Sequence, residues 1–138
     1  MIIAVCGSTQ FYKEIRVAQR ELEVMGHTAL IPKSIDLIER KGFKKPKTVE
    51  ERLKAEGKYD FIREHFCKIE KADAIVILNY VKNGIKGYIG GNTLIEMGIA
   101  FYLRKKIYLL NSIPEMDYAK LEIFAMHPVV LNGSLSNI

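Results

Sequence analysis

Ala74 to Leu78 reads AIVIL, and after a loop rich in glycine Gly90 to Gly98 reads GGNTLIEMG. A short apolar run bounded by turn residues reads as a buried strand. The stretch from Thr93 to about Leu103 has the length and composition of a helix, so the two form a strand, loop and helix crossover. Glu96 is expected in the first turn of that helix and is the only charged side chain between Thr93 and Leu103. A lone carboxylate on a helix that is otherwise apolar needs a reason, because burying an unpaired charge is costly. Two reasons compete. Thr93-x-x-Glu96 fits a reciprocal capping box, with the helix dipole favouring the carboxylate. Alternatively, a carboxylate kept ionised by that dipole, at the carboxyl end of a parallel sheet where ligands bind, acts as a nucleophile or holds a substrate hydroxyl. Spacing alone leaves both open.

The rest of the chain repeats the alternation. Ile2 to Cys6 (IIAVC) reads as a central strand, turned by Gly7-Ser8-Thr9. Ile15, Ala18, Leu22 and Met25 then mark a first helix stopped by Gly26. That turn sits where a parallel sheet offers backbone N–H groups and hydroxyls to a phosphate or sugar, although a plain tight turn with an N-cap needs no ligand. It matches neither the dinucleotide fingerprint nor the P-loop. His27 to Ile31 is the second strand, closed by Pro32. Lys33 to Lys47 is irregular and densely charged, and suits a short helix with a flap over a site. A helical pattern runs from Thr48 to Ile69, with Gly57 a candidate break. Asp73 is expected to cap neighbouring backbone at the entrance of the third strand. Lys106 to Leu110 and Val129 to Leu131 give the fourth and fifth strands, with a weaker helix over Glu115 to Met126 between them. Asn132 to Ile138 is polar and reads as a frayed tail unless a neighbouring subunit holds it.

Strands alternating with helices, joined right-handedly, give a doubly wound three-layer α/β sandwich, Rossmann-like in the broad sense: a five-stranded parallel sheet in flavodoxin-like order 2-1-3-4-5. In that order the carboxyl ends of the first and third strands are neighbours at the switch point. Gly7 and Ser8, Asn79, and Gly90 to Glu96 then face one crevice.

Composition sets the outer bounds. The 138 residues make a single domain over 1–138 that can bury about two-thirds of its unfolded surface. Hydrophobic residues are 49% of the chain, which suits strands buried on both faces. No apolar run approaches a membrane span and Met1-Ile2-Ile3 lacks a basic leader, so a cytoplasmic protein with no membrane partner is expected. The two cysteines, Cys6 and Cys67, and the three histidines show no metal-ligand spacing, so neither a structural metal nor a cofactor is expected. The net charge of +5 is concentrated: Glu39 to Lys54 holds seven Lys or Arg against three Glu. Such a run is commonly a solvated face, and with no nucleic-acid-binding motif beside it nucleic acid is not the expected partner.

The set CGS after the first strand, KADAIVILNY at the third and GGNTLIEMG opening the next helix resembles the nucleoside 2-deoxyribosyltransferase-like superfamily, which includes deoxyribosyltransferases and hydrolases of deoxyribonucleoside monophosphates. The resemblance covers most of the chain in order and spacing. It implies that Glu96 is the nucleophile that attacks the anomeric carbon in a retaining mechanism through a glycosyl ester. It also implies that Gly7 and Ser8 face the sugar or its 5′-phosphate, and that copies of the chain assemble so that a neighbour helps to close the site. Two positions depart from the family pattern. The aspartate eight residues before Asp73 is replaced by His65, which is either a packed side chain or a general acid with a reference pKa near neutrality. The hydrolases' serine six residues before the nucleophile is Gly90, where the amides of Gly90, Gly91 and Asn92 can stand in for its phosphate contact. Among the aromatics, Tyr12 follows the first turn directly and is the expected contact for a base.

The expected function is therefore cleavage or transfer at the N-glycosidic bond of a nucleoside or nucleotide, with Glu96 and His65 catalytic and Gly7, Ser8, Tyr12, Asn79, Gly90, Gly91 and Asn92 binding substrate. It requires the Glu96 carboxylate to reach an open pocket beside Ser8. The alternative is a nucleotide-sensing module that keeps the crevice without turnover; a third possibility is an assembly protein in which Glu96 only caps its helix.

Overall fold

The computed structural model describes every residue from 1 to 138. Five parallel strands, β1 (Ile2–Cys6), β2 (Thr28–Leu30), β3 (Ala74–Ile77), β4 (Lys106–Leu109) and β5 (Val129–Val130), form one sheet in the order β2-β1-β3-β4-β5. This is the expected fold and strand order. The helices are α1 (Tyr12–Val24), α2 (Lys33–Glu39), α3 (Val49–Tyr59), α4 (Phe61–Lys71), α5 (Gly91–Tyr102) and α6 (Lys120–Ala125), with short 3₁₀ turns at Thr9–Phe11 and Leu135–Asn137. None of them is long and apolar enough to cross a membrane.

The period of two along each strand divides the core. Ile3 and Val5 of β1, Ala74, Val76 and Leu78 around β3, and Tyr108 and Leu110 around β4 pack on one face with Ile15, Ala18 and Leu22 of α1. Ala4 and Cys6, Ile75 and Ile77, and Ile107 and Leu109 pack on the other face with Ile69 of α4 and Met97 and Ala100 of α5. Cys6 pairs with Ile77 in register, so β1 and β3 end side by side. Asp73 accepts the Ile2 amide at 2.7 Å, the capping role expected of it.

Four local expectations are corrected. The long helical pattern breaks at Asp60, which turns left-handed at φ 51, not at Gly57. The last helix is shorter than its pattern and starts only at Lys120. The tail is not frayed: Leu131 and Leu135 are buried in the α1-side core and Ile138 packs against it, so apolar burial outweighs the polar composition around them. The capping box at Thr93 does not form. Gly90 is the N-cap of α5, Thr93 lies inside the helix and is buried, and Glu96 sits in the second turn.

Candidate active site

The carboxyl ends of β1 and β3 carry the site. Chain reversal after β1 brings Gly7 against the Leu78 carbonyl, 3.3 Å from where a Cβ would stand, so the two strand ends approach as closely as the pairing allows. Ser8 then caps the following turn, its Oγ accepting the Gln10 amide at 3.3 Å. The same oxygen accepts a hydrogen bond from Lys82 Nζ at 3.0 Å.

Lys82 reaches Ser8 because of a local turn. Asn83 and Gly84 both have positive φ, 52° and 73°, and Lys82 and Ile85 exchange backbone hydrogen bonds across them at 3.2 and 2.9 Å. Asn-Gly is the pair that this tight hairpin demands. The ammonium also lies 5.6 Å from the centre of the Tyr88 ring, and Tyr88 in turn covers Gly90, the N-cap of α5. Ser8, Lys82, Tyr88 and Gly90 thus form one continuous wall. Lys45, from the charged loop before α3, belongs to the same neighbourhood. Its ammonium is held below the ordinary lysine range by desolvation first and then by the like charges of Arg52 and Lys82. Three cationic side chains, Lys45, Arg52 and Lys82, thus share one neighbourhood, which suits an anionic ligand. No side chain caps Gly90, so the first-turn amides of α5 remain available at the same end of the sheet.

Below this wall lies Glu96. Helix α5 packs on β3, β4 and α4, and its inward face carries Glu96 with Met97 and Ala100. The carboxyl is only 3% exposed and its Oε1 accepts the Asn92 side-chain amide at 3.3 Å. Asn92 itself is exposed, so the carboxyl lies one side chain beneath the surface. Burial raises its pKa to about 7, against smaller opposing effects from hydrogen bonds with Cys6 and Asn92. The expectation of an ionised carboxylate in an open pocket beside Ser8, which the glycosidic reading requires, is therefore not met in this structure: the carboxyl is buried. Desolvation dominates, and Glu96 lies in the second turn, beyond the part of the helix where the dipole acts strongly.

His65 projects from α4 toward the same point. Its Nε2 lies 3.5 Å from Cys6 Sγ, and the ring is 2% exposed with no hydrogen-bond partner of good geometry at Nδ1. Burial first, then the Lys68 charge, lowers its pKa to about 4, outweighing Glu64 and the Val5 backbone, which raise it. The ring is therefore neutral near pH 7, its role toward the Cys6 sulfur set by its tautomer, and the imidazolium acid expected from its reference pKa is not present. The Cys6 thiol is itself held well above its ordinary range, by burial and then by Glu96. Cys6, His65 and Glu96 thus converge, their nearest ligand atoms all within 4.8 Å of one another. No spacing in the sequence suggests this cluster, because the three residues come from β1, α4 and α5.

Two expected binding residues are used otherwise. Asn79 is 1% exposed and spends its amide on the chain: Nδ2 donates to the carbonyls of Gly87, Asn111 and Ser112 at 3.3, 3.0 and 3.0 Å, and Oδ1 accepts the Asn111 amide at 2.8 Å. It clamps the ends of β3 and β4, and its burial keeps it away from a substrate. Tyr12 packs against the α1-side core with Lys13 5.9 Å from its ring centre, in the layer opposite Glu96. Gly7, Ser8, Gly90, Gly91, Asn92, His65 and Glu96 do gather at the switch point. Lys82, Lys45 and Arg52 are additions that sequence reasoning misses; the Asn-Gly pair after Lys82 is the available signal for the first.

No protein-family model and no curated protein matches the sequence. Solved structures do match by shape. The 2-deoxyribosyltransferase of Bacillus psychrosaccharolyticus aligns with a TM-score of 0.52 at 19% identity, over 79% of this chain and 71% of that one. The CMP N-glycosidase of Clostridium botulinum aligns with a TM-score of 0.52 at 19% identity, over 96% of this chain and 90% of that one. At this identity the likeness shows a shared fold, and it is the fold that the motifs around Cys6, Asp73 and Glu96 resemble.

Proposed function

We propose that the protein cleaves or exchanges the N-glycosidic bond of a nucleoside 5′-monophosphate, with Glu96 as nucleophile. The observation that carries the proposal is the pairing of two features at one strand end: a carboxyl under the N-terminal turn of α5, and a cationic wall built on the Ser8–Lys82 contact. Fold neighbours that include a deoxyribosyltransferase and a CMP N-glycosidase support the reading.

In this mechanism Ser8, Lys82 and the first-turn amides of α5 hold the phosphate. Because the carboxyl is buried, this mechanism requires the Asn92 side chain to swing away from it so that the sugar reaches Glu96. Ionised Glu96 bonds to the anomeric carbon while the base departs with the bonding electrons and takes a proton from water. Water, or a second base, then attacks the glycosyl ester and restores the carboxylate. Cys6 and His65 act as positioning residues, fixing the carboxyl from beneath. Exposed apolar side chains on α5 and α6, including Ile95, Phe101, Tyr102, Leu121 and Phe124, provide a face for the second copy that the resemblance implies; a monomer by light scattering at micromolar concentration removes that part.

The experiment is incubation with ribo- and deoxyribonucleoside monophosphates and the corresponding nucleosides, with free base as the readout. Release of base that disappears in Glu96→Gln supports the proposal; activity unchanged in that variant removes Glu96 from the role. A second reading is favoured by the burial of Glu96 and the neutrality of His65: a nucleotide-binding module without turnover. It predicts a thermal shift with nucleoside monophosphates, larger than with inorganic phosphate, and no base release from any of them.

A further inference from the structure

We propose that Cys6, His65 and Glu96 are the protein ligands of a site for a divalent ion of the zinc class. The three side chains offer a thiol sulfur, an imidazole nitrogen and a carboxyl oxygen, the donor set that zinc prefers. Their nearest ligand atoms lie within 4.8 Å of one another, on three different elements of the packed core. The Cys6 Sγ to His65 Nε2 separation is 3.5 Å. Two ligands at ordinary zinc–sulfur and zinc–nitrogen lengths in a tetrahedron stand about 3.6 Å apart, so this pair is already spaced for an ion between them.

Charge supports the same assignment. A thiolate and a carboxylate together carry the two negative charges that neutralise a divalent cation, so the loaded cluster is neutral overall, as a site with ligands 0%, 2% and 3% exposed requires. The chain supplies three of the four ligands that zinc commonly takes, so a water molecule would have to complete the set. The exposed Asn92 side chain, which covers the Glu96 carboxyl, marks the side from which an ion enters. The inference does not rest on the glycosidic reading and competes with it at one point: an ion held by one Glu96 oxygen draws charge from the carboxylate, so the zinc-loaded chain is expected to release base more slowly than the metal-free chain.

The test uses the full chain freed of metal by a chelator and titrated with Co²⁺, then with Zn²⁺ in competition. The expected result is one ion per chain, with a thiolate-to-cobalt charge-transfer band in the near ultraviolet that Zn²⁺ abolishes. Cys6→Ser removes the band, His65→Gln and Glu96→Gln each weaken binding at least tenfold, and Cys67→Ser changes nothing. Absence of the band in the wild-type chain overturns the proposal, as does a band that survives Cys6→Ser or is lost in Cys67→Ser. Where Cys6→Ser does not fold, Glu96→Gln decides: undiminished affinity in that variant overturns the site. These readouts do not involve turnover, so a catalytically silent protein leaves them intact.

Discussion

Asn79 and Asn111 hold each other by reciprocal contacts: the Asn111 amide donates to Asn79 Oδ1 at 2.8 Å, and Asn111 Nδ2 donates to the Asn79 carbonyl at 3.1 Å. Because Asn79 Nδ2 also meets the carbonyls of Gly87, Asn111 and Ser112, one buried amide ties the glycine loop to the ends of β3 and β4. Removing it leaves several backbone groups without this partner, the Gly87 carbonyl in a buried position and those of Asn111 and Ser112 in partly buried ones. Asn79→Ala is therefore expected to cost about 2–4 kcal/mol, read as a lower denaturation midpoint. A cost below about 0.5 kcal/mol would show that water replaces the amide easily and that the clamp is not structural.

Gly87 occupies the loop that this clamp holds. Its φ is +68°, and a Cβ there would stand 2.4 Å from the Ser112 carbonyl oxygen. Both the left-handed backbone and the overlap with a backbone atom oppose any side chain, so Gly87→Ala is expected to destabilise by roughly 2–4 kcal/mol. Gly98 is the contrasting case. It lies inside α5 without positive φ, and a Cβ there would meet nothing within 4 Å. Gly98→Ala is expected to stabilise the fold by roughly 0.5–1 kcal/mol, because alanine loses less backbone entropy in a helix. Equal effects from the two substitutions, by thermal or urea unfolding, would contradict this contrast.

Glu96 and His65 give opposite pH signatures. A carboxyl whose pKa rises to about 7 in the fold keeps its proton where the unfolded chain has lost it. Stability from this group falls as pH rises from the unfolded value near 4.3 to about 7, by on the order of 3 kcal/mol. The imidazole, lowered to about 4, refuses a proton that the unfolded chain accepts. Its contribution is present above about 6.5 and lost as pH falls toward 4, by a similar amount. Across the shared window the two slopes oppose each other in the wild-type chain. Glu96→Gln is expected to expose the histidine slope, with stability rising with pH, and His65→Gln the glutamate slope, with stability falling. Unfolding free energies measured from about pH 4.5 to 7 in both variants decide the matter, and two parallel curves would be incompatible with the buried pair.

The same carboxyl sets a kinetic expectation under the proposed mechanism. Only the ionised form is a nucleophile, so base release should climb about tenfold per pH unit below about 7 and level off above it. An acid limb centred near the ordinary carboxyl value of about 4 would mean that substrate binding re-solvates Glu96 or that another group attacks.

The sheet is legible because its strands obey a simple period: alternate residues of IIAVC and AIVIL divide between two helical layers, and that pattern with its glycine and proline punctuation is local information. The chemistry of Glu96 is half legible. Its isolation on an apolar helix is visible in the sequence, but the choice between dipole and desolvation depends on depth below the surface, which spacing does not encode. Thr93-x-x-Glu96 misleads because a capping box needs the helix to begin at Thr93, whereas the uncapped glycines let it begin at Gly91. Cys6 and His65 are 59 residues apart and meet only because β1 and α4 pack together, and Lys82 meets Ser8 across 74 residues through a hairpin. Tyr12 is near the turn in sequence, but α1, which it opens, packs on the face of the sheet opposite α5, and its ring lies there.

Lys82 separates binding from stability. Its ammonium touches Ser8 Oγ and the Tyr88 ring but belongs to no ion pair, so the fold gains little from its charge. A phosphate beside Ser8 would gain a charge-assisted hydrogen bond, which is the stronger kind. Lys82→Ala is therefore expected to weaken binding of a nucleoside monophosphate at least about tenfold, while its effect on binding of the unphosphorylated nucleoside and on the unfolding midpoint stays small. Calorimetric titration of both ligands against wild type and variant measures the difference. Equal losses for nucleoside and nucleotide would mean that Lys82 orders the loop around Tyr88 and does not meet the phosphate.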